Sequence, residues 1–157
     1  MTPEVAFHLN VGADAAAVRA YLCRLLAKAY AARARVWVVA AAEEAEALDE
    51  ALWTLPADDF VPHVRAAAAE PLRRRSPIVI AVPEDAPGGA RDVLVNAQPA
   101  WLSWVEAAPP RRIIEVVAAD EAAKAAARQR WRRYQQLGWA LQAHDRAAAR
   151  AAAAQEG

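Results

Sequence analysis

"RVWVVAA", Arg35–Ala41, carries no polar residue after its arginine and is built from β-branched and aromatic side chains. A strand with one wet face would alternate polar and apolar residues. This one does not, so it reads as a strand buried on both faces, the situation of a parallel sheet covered by helices on both sides. "PIVIAVP" (Pro77–Pro83), "DVLVNA" (Asp92–Ala97) and "RRIIEVVA" (Arg111–Ala118) have the same character, and "EVAFHLN" (Glu4–Asn10) alternates as a strand does.

Parallel strands need crossovers, and helix-periodic segments lie between these runs. Asp14, after Gly12, is placed to cap a helix reaching about Arg33, with Leu22, Leu25, Leu26, Ala29 and Tyr30 at helical spacing. "EEAEALDEALWTL" (Glu43–Leu55) turns Ala45, Leu48, Leu52 and Leu55 inward and its acids outward, and Pro56 ends it. A short helix is expected around "PAWLSWVEA". Asp120 caps a long helix through about Gln136, with Gly138 as its left-handed terminator. Residues 66–76, containing "EPLRRRSP", read as a connection, and "EDAPGGAR" as a flexible turn between two strands. The order β-α-β-α-β-β-α-β-α predicts an α/β fold: a three-layer, mainly parallel sheet flanked by helices. Residues 1–142 are expected to form one domain. The alanine-rich tail, 143–157, is a helical extension or frayed coil, without the side chains to build a core.

At 157 residues the chain fits a single core. It has no apolar run long enough for a membrane span and no export signal at its start, so a cytoplasmic protein is expected. The single Cys23 fits a reducing compartment and reads as a small buried side chain. Net charge is zero but unevenly spread. Glu43, Glu44, Glu46, Asp49, Glu50, Asp58 and Asp59 fall together with no base among them, and Lys124, Arg128, Arg130, Arg132 and Arg133 fall together with no acid. Neutrality argues against a general nucleic-acid binder, while a local basic face can still select an acidic peptide or a phosphate.

Such sheets often bind nucleotides, yet the phosphate signatures are missing. The turn after the first strand, "LNVGADAAA", has one glycine where a dinucleotide fingerprint needs three, and no Gly-Lys-Ser/Thr occurs. His8, His63 and His144 have no ligand-like spacing, and Thr54, Ser76 and Ser103 no neighbouring base, so neither a metal site nor a catalytic group is expected. Asp58 and Asp59 read as a solvated turn. One oddity remains, "LWTLPADDFVPH" (Leu52–His63), which sets Trp53, Phe60 and Val61 around an acidic, proline-containing turn.

Two stretches in order, "LDEALWTLPADDFVPH" and "RRIIEVVAADEAAKAAARQRWRRYQQLGW", resemble the chi subunit family of bacterial DNA polymerase III. The resemblance covers about residues 4–142. It implies a nucleotide-binding-like fold without a phosphate loop, no cofactor and no catalysis of its own. The implied role is an adaptor in DNA replication, joining the clamp loader, through the psi subunit, to the acidic C-terminal peptide of single-stranded DNA-binding protein. Nucleic acid is then reached mainly indirectly. Carried over by position, the peptide-binding residues are Val117, Lys124, Arg128, Trp131 and Arg132, with tryptophan and arginine at 131 and 132 where the family often has tyrosine and lysine. Helical spacing independently puts Lys124, Arg128, Trp131 and Arg132 on one face, with Ala123, Ala127, Tyr134, Leu137 and Leu141 on the other. The psi-binding or helicase-binding surface maps to Trp53, Phe60, Val61 and Pro62, unless Trp53 and Phe60 fold back onto the domain's own core. The alternative function is a nucleotide-dependent or nucleic-acid-processing enzyme on the same α/β frame, and a third is direct single-strand binding by the basic helix.

Overall fold

The computed structural model describes residues 2–89 and 91–156. In chain order the elements are β1 (Glu4–Leu9), α1 (Ala15–Ala31), β2 (Val36–Val39), α2 (Ala42–Trp53), a 3-10 turn (Ala57–Asp59), β3 (His63–Arg65), α3 (Glu70–Arg75), β4 (Ile78–Ala81), β5 (Val93–Asn96), α4 (Trp104–Ala107), β6 (Arg112–Val116), α5 (Glu121–Gln136), β7 (Ala140–Asp145) and α6 (Arg146–Glu156). The strands form one sheet in the order β3-β4-β2-β5-β6-β1-β7, and every pairing is parallel. The α/β, three-layer arrangement is therefore as expected.

The buried run that decides the fold lies inside the sheet as β2, between β4 and β5. Its side chains alternate between two cores. Val36 and Val38 join Leu22 and Leu26 of α1 and Leu48 and Leu52 of α2. Trp37 and Val39 join Phe7, Leu94, Ile113, Val105, Ala127 and Tyr134 on the opposite face, under α4 and α5. Leu26, Leu48 and Leu52 are fully buried, and each such side chain stabilises by about 1.5–3 kcal/mol.

The helix ends follow the sequence signals. Asp14 Oδ1 accepts from the Ala17 amide at 2.8 Å, and Asp120 Oδ2 from the Ala123 amide at 3.0 Å. Gly138 has φ +76° just beyond α5. Gly12 is needed for closeness instead: a Cβ there would fall 2.7 Å from the Ala17 Cβ and 2.9 Å from the Val18 amide nitrogen.

One expectation is corrected, and the topology adds to two others. Residues 66–76 are not only a connection, because six of them form α3, opened by Pro71 in its first turn. The segment containing Gly88 and Gly89 lies between two strands, as expected, and these are not neighbours in the sheet. β4 and β5 are parallel with β2 between them, so the segment carries the chain back across the sheet; Ala90 lies outside the described residues. β7 runs across residue 142 and pairs with β1 from Glu4↔Ala140 to Leu9↔Asp145. The tail beyond it is helical, and α6 reaches back through Arg150 Nη2, which donates to the Asn10 carbonyl at 2.9 Å.

His8, on β1, sits where α1, β7 and α6 meet. Its Nδ1 lies 2.5 Å from the Tyr21 hydroxyl and its ring meets His144 edge-on at 5.6 Å. Burial first, then His144, Arg146, Arg112 and Lys28, brings its pKa down from 6.5 to about 4. The folded state thus resists a proton that the unfolded chain accepts. Stability from this site is complete above about pH 6.5 and declines as pH falls toward 4. After discounting for partial exposure, a loss of about 1 kcal/mol is expected. Urea titrations at pH 7 and pH 4.5 should show a smaller difference for His8→Gln than for the parent chain, and an unchanged difference would exclude His8 as the source.

Candidate functional site

Lys124, Arg128, Trp131 and Arg132 face one cleft of about 470 Å³. Sequence spacing brings these four together, but the cleft's floor was not anticipated. It consists of Phe7 and Leu9 of β1, which share a face because they are two residues apart, with Asn10, Ala127, Gln135 and Ala143 of β7. Phe7 also fixes the tryptophan: its ring meets Trp131 edge-to-face at 5.1 Å and Tyr134 at 6.0 Å. The result is an apolar trough with a cationic rim. Lys124 has Glu121 at 4.0 Å, while Arg128 and Arg132 have no carboxylate partner among the described residues. Val117 is corrected. It is 2% exposed, packed within the core below α5, and absent from the cleft's lining.

α5 can present that rim because its other side is tied down. Glu115, in the middle of apolar β6, is fully buried. Its Oε1 accepts from Asn96 Nδ2 at 2.9 Å and from Arg130 Nε at 3.0 Å, and its Oε2 from the Tyr134 hydroxyl at 2.7 Å. Arg130 Nη1 donates to the Pro99 carbonyl at 2.8 Å, and Gln98 extends the network to Asn96 Oδ1 at 2.9 Å. Burial pushes the Glu115 carboxyl up, and its donors, Arg130 foremost, pull it down. All three partners can donate, so the carboxylate form is the one that they satisfy. Tyr134 is held well above the usual phenol range by burial and then by Glu115. Arg130, one of the five bases clustered in sequence, is thus an internal anchor. Arg133 is also spent, on Glu106 at 2.7 Å and over the Trp101 ring at 5.7 Å.

The second cluster lies at the other edge of the sheet. Trp53 is 60% exposed and Phe60 39% exposed, so neither folds back into the core. Their rings lie 5.5 Å apart, and both rest on His63, at 4.9 Å and 6.1 Å. His63 is itself buried; its Nδ1–H donates to the Val61 carbonyl at 2.7 Å. Its Nε2 is 3.3 Å from Asp49 Oδ1, within ion-pair range but without hydrogen-bond geometry. Val61 is corrected as well: at 1% exposure it plugs the turn into the core beside α2 and cannot face a partner. Pro62 is half-buried.

Where a nucleotide would sit in such a sheet, beyond the strands' C-terminal ends, the structure places carboxylates. A cavity of about 250 Å³ is lined by Asp14, Asp120 and Glu44, and the first two cap the N-termini of α1 and α5 that would otherwise attract phosphate. Among the described residues no group of three or more His, Cys, Asp or Glu side chains could hold a metal ion, and no helix is long and apolar enough to cross a membrane.

The family model for "DNA polymerase III chi subunit, HolC" matches residues 1–142. The chain belongs to the DNA polymerase III chi subunit family. It is 32% identical over 127 residues to DNA polymerase III subunit chi of Escherichia coli, covering 80% of this chain and 83% of that one. It is 31% identical over 142 residues to the subunit chi of Pseudomonas aeruginosa, covering 90% and 95%. The C-terminal domain of a possible DNA helicase from Lactobacillus plantarum superposes with a TM-score of 0.44 at 16% identity, covering 78% of this chain and 83% of that one. The family assignment rests on the first two relatives. It makes the chain a subunit type of the replicative DNA polymerase III, consistent with an accessory rather than a catalytic part.

Proposed function

We propose that this chi-family chain is a non-catalytic cytoplasmic adaptor that joins the clamp loader, through psi, to the acidic C-terminal peptide of single-stranded DNA-binding protein. The observation that carries the reading is the trough on α5. Lys124, Arg128 and Arg132 rim an apolar floor closed by Trp131, a combination that suits a peptide ending in acids, an apolar side chain and a free carboxylate. A guanidinium takes a carboxylate bidentately while the floor covers the apolar residue. The adjoining rings of Trp53 and Phe60 supply the second face, of the aromatic type that dominates interfaces, for psi or a helicase.

Thermal shift and calorimetry separate this reading from a nucleotide-dependent enzyme. A short acidic peptide with a free C-terminus should raise the melting temperature, and amidating that C-terminus should weaken binding by about tenfold or more, the worth of a charged hydrogen-bonded contact. ATP and NAD should give no shift at the same concentrations, because Asp14, Asp120 and Glu44 occupy the position of a phosphate. Protection by ATP without protection by the peptide would reverse the assignment.

A further inference from the structure

At the end of the sheet where the strands begin, two adjoining cavities form a surface that neither adaptor face uses. One, of about 470 Å³, is lined by Arg35, Arg73, Arg74 and Arg91 with Trp37. The other, of about 500 Å³, is lined by Trp37 and Arg91 again, with Trp104 and Arg111. Topology gathers these residues: Arg35 and Arg111 lie just before β2 and β6, Arg91 shortly before β5, and Arg73 and Arg74 end α3 before β4.

Two observations point to a ligand. The indole N–H groups of Trp37 and Trp104 are buried and have no hydrogen-bond partner among the described residues, and Trp37 is only 2% exposed. A buried donor left unmade costs about 1–3 kcal/mol, and native proteins seldom leave two beside one cavity without a use. Two of the arginines, moreover, are held by backbone carbonyls and not by a carboxylate salt bridge. Arg91 donates to the Ser76 carbonyl at 2.7 Å and the Arg73 carbonyl at 2.5 Å, and Arg35 donates to the Arg74 carbonyl. Two carboxylates also line the cavities, and both are engaged: Glu70 pairs with Arg74, and Asp92 accepts the Arg35 amide at 2.9 Å. Burial, then Arg35, lowers the Arg91 guanidinium to about 10, and Asp92 offsets only part of that.

We propose that these adjoining cavities bind successive phosphates of a single-stranded nucleic-acid backbone. Guanidinium forks and indole N–H groups are donors only, so the ligand must be an acceptor-rich anion, and phosphate oxygens match the fork bidentately. Contiguous cavities sharing Trp37 and Arg91 suit an extended chain better than one small ion. Trp37 is sunk in the core and has no open face for a base to stack on, so contact is with the backbone and independent of sequence.

The test uses the full chain and a fluorescein-labelled oligo(dT) 20-mer, followed by anisotropy at rising salt. Charge reversal at two exposed positions, Arg74→Glu with Arg111→Glu, should weaken binding about tenfold or more and reduce the log–log salt slope by about 2. Lys124→Glu with Arg128→Glu, on the α5 trough, should bind within about threefold of the parent, and excess oligoglutamate should not compete. In nitrogen-15 spectra of the unaltered chain, the Trp37 and Trp104 indole signals should move with oligo(dT). The proposal is overturned if the parent fails to bind at low salt, if only the α5 variant loses binding, if the indole signals stay still, or if oligoglutamate displaces the strand.

Discussion

Glu115→Gln should destabilise the fold by about 3–5 kcal/mol, the cost of leaving a buried charge without its counterion. The carboxylate receives Arg130, Tyr134 and Asn96, with both charged side chains almost wholly removed from water. An amide of the same shape keeps the volume, but it leaves the Arg130 guanidinium unpaired and turns one donor toward other donors. A domain of this size has only about 5–15 kcal/mol to lose. Arg130→Met alone should also be costly, since it strands the carboxylate and the Pro99 carbonyl. Combined with Glu115→Gln, the loss should be at least about 1 kcal/mol smaller than the sum of the two single losses. Urea denaturation of the four chains measures this cycle. A Glu115→Gln protein within about 1 kcal/mol of the parent would mean that packing, not the ion pair, holds α5 to the sheet.

That network also shows what could and could not be read before the structure. The central strands were legible because their apolar, β-branched runs admit no other placement, and the caps at Asp14 and Asp120 because their side chains act within one helical turn. β7 was not. "ALQAHD" is an edge strand with no β-branched residue, and its outer side faces water, so neither alternation nor composition marks it. Without β7 the trough's floor lacked Ala143. Val61 and Val117 failed differently. Each adjoins a strand, and there a one-residue shift exchanges the buried face for the open one. Helical periodicity placed Lys124, Arg128 and Arg132 on the surface correctly, yet local spacing could not reveal that Arg130 meets a carboxylate fifteen residues earlier. The one available signal was Glu115 itself, a charge set in "RIIEVV", which needs a buried partner.

Whether the trough and the aromatic pair are separate sites decides whether the chain can bridge two partners at once. Trp53 and Phe60 lie beside β3, at one edge of the sheet, and the trough is built on β1 and β7 at the other. From β3 to β1 there are five strand spacings, roughly 24 Å at about 4.8 Å each. α2 packs on one face of the sheet and α5 on the opposite one. Sites this far apart, with no shared contacts, should respond additively. Phe60→Ala is therefore expected to cost psi or helicase binding about 2 kcal/mol or more, as loss of an aromatic anchor does, while peptide affinity stays nearly constant. Arg128→Ala should do the reverse, because its guanidinium is exposed on the trough rim with no carboxylate of its own, so its substitution leaves the core untouched. Calorimetry of each variant against each partner, with folding checked by circular dichroism, gives the two-by-two comparison. A well-folded Phe60→Ala chain that also lost the peptide would make the two faces one site, and the bridging mechanism would fail with it.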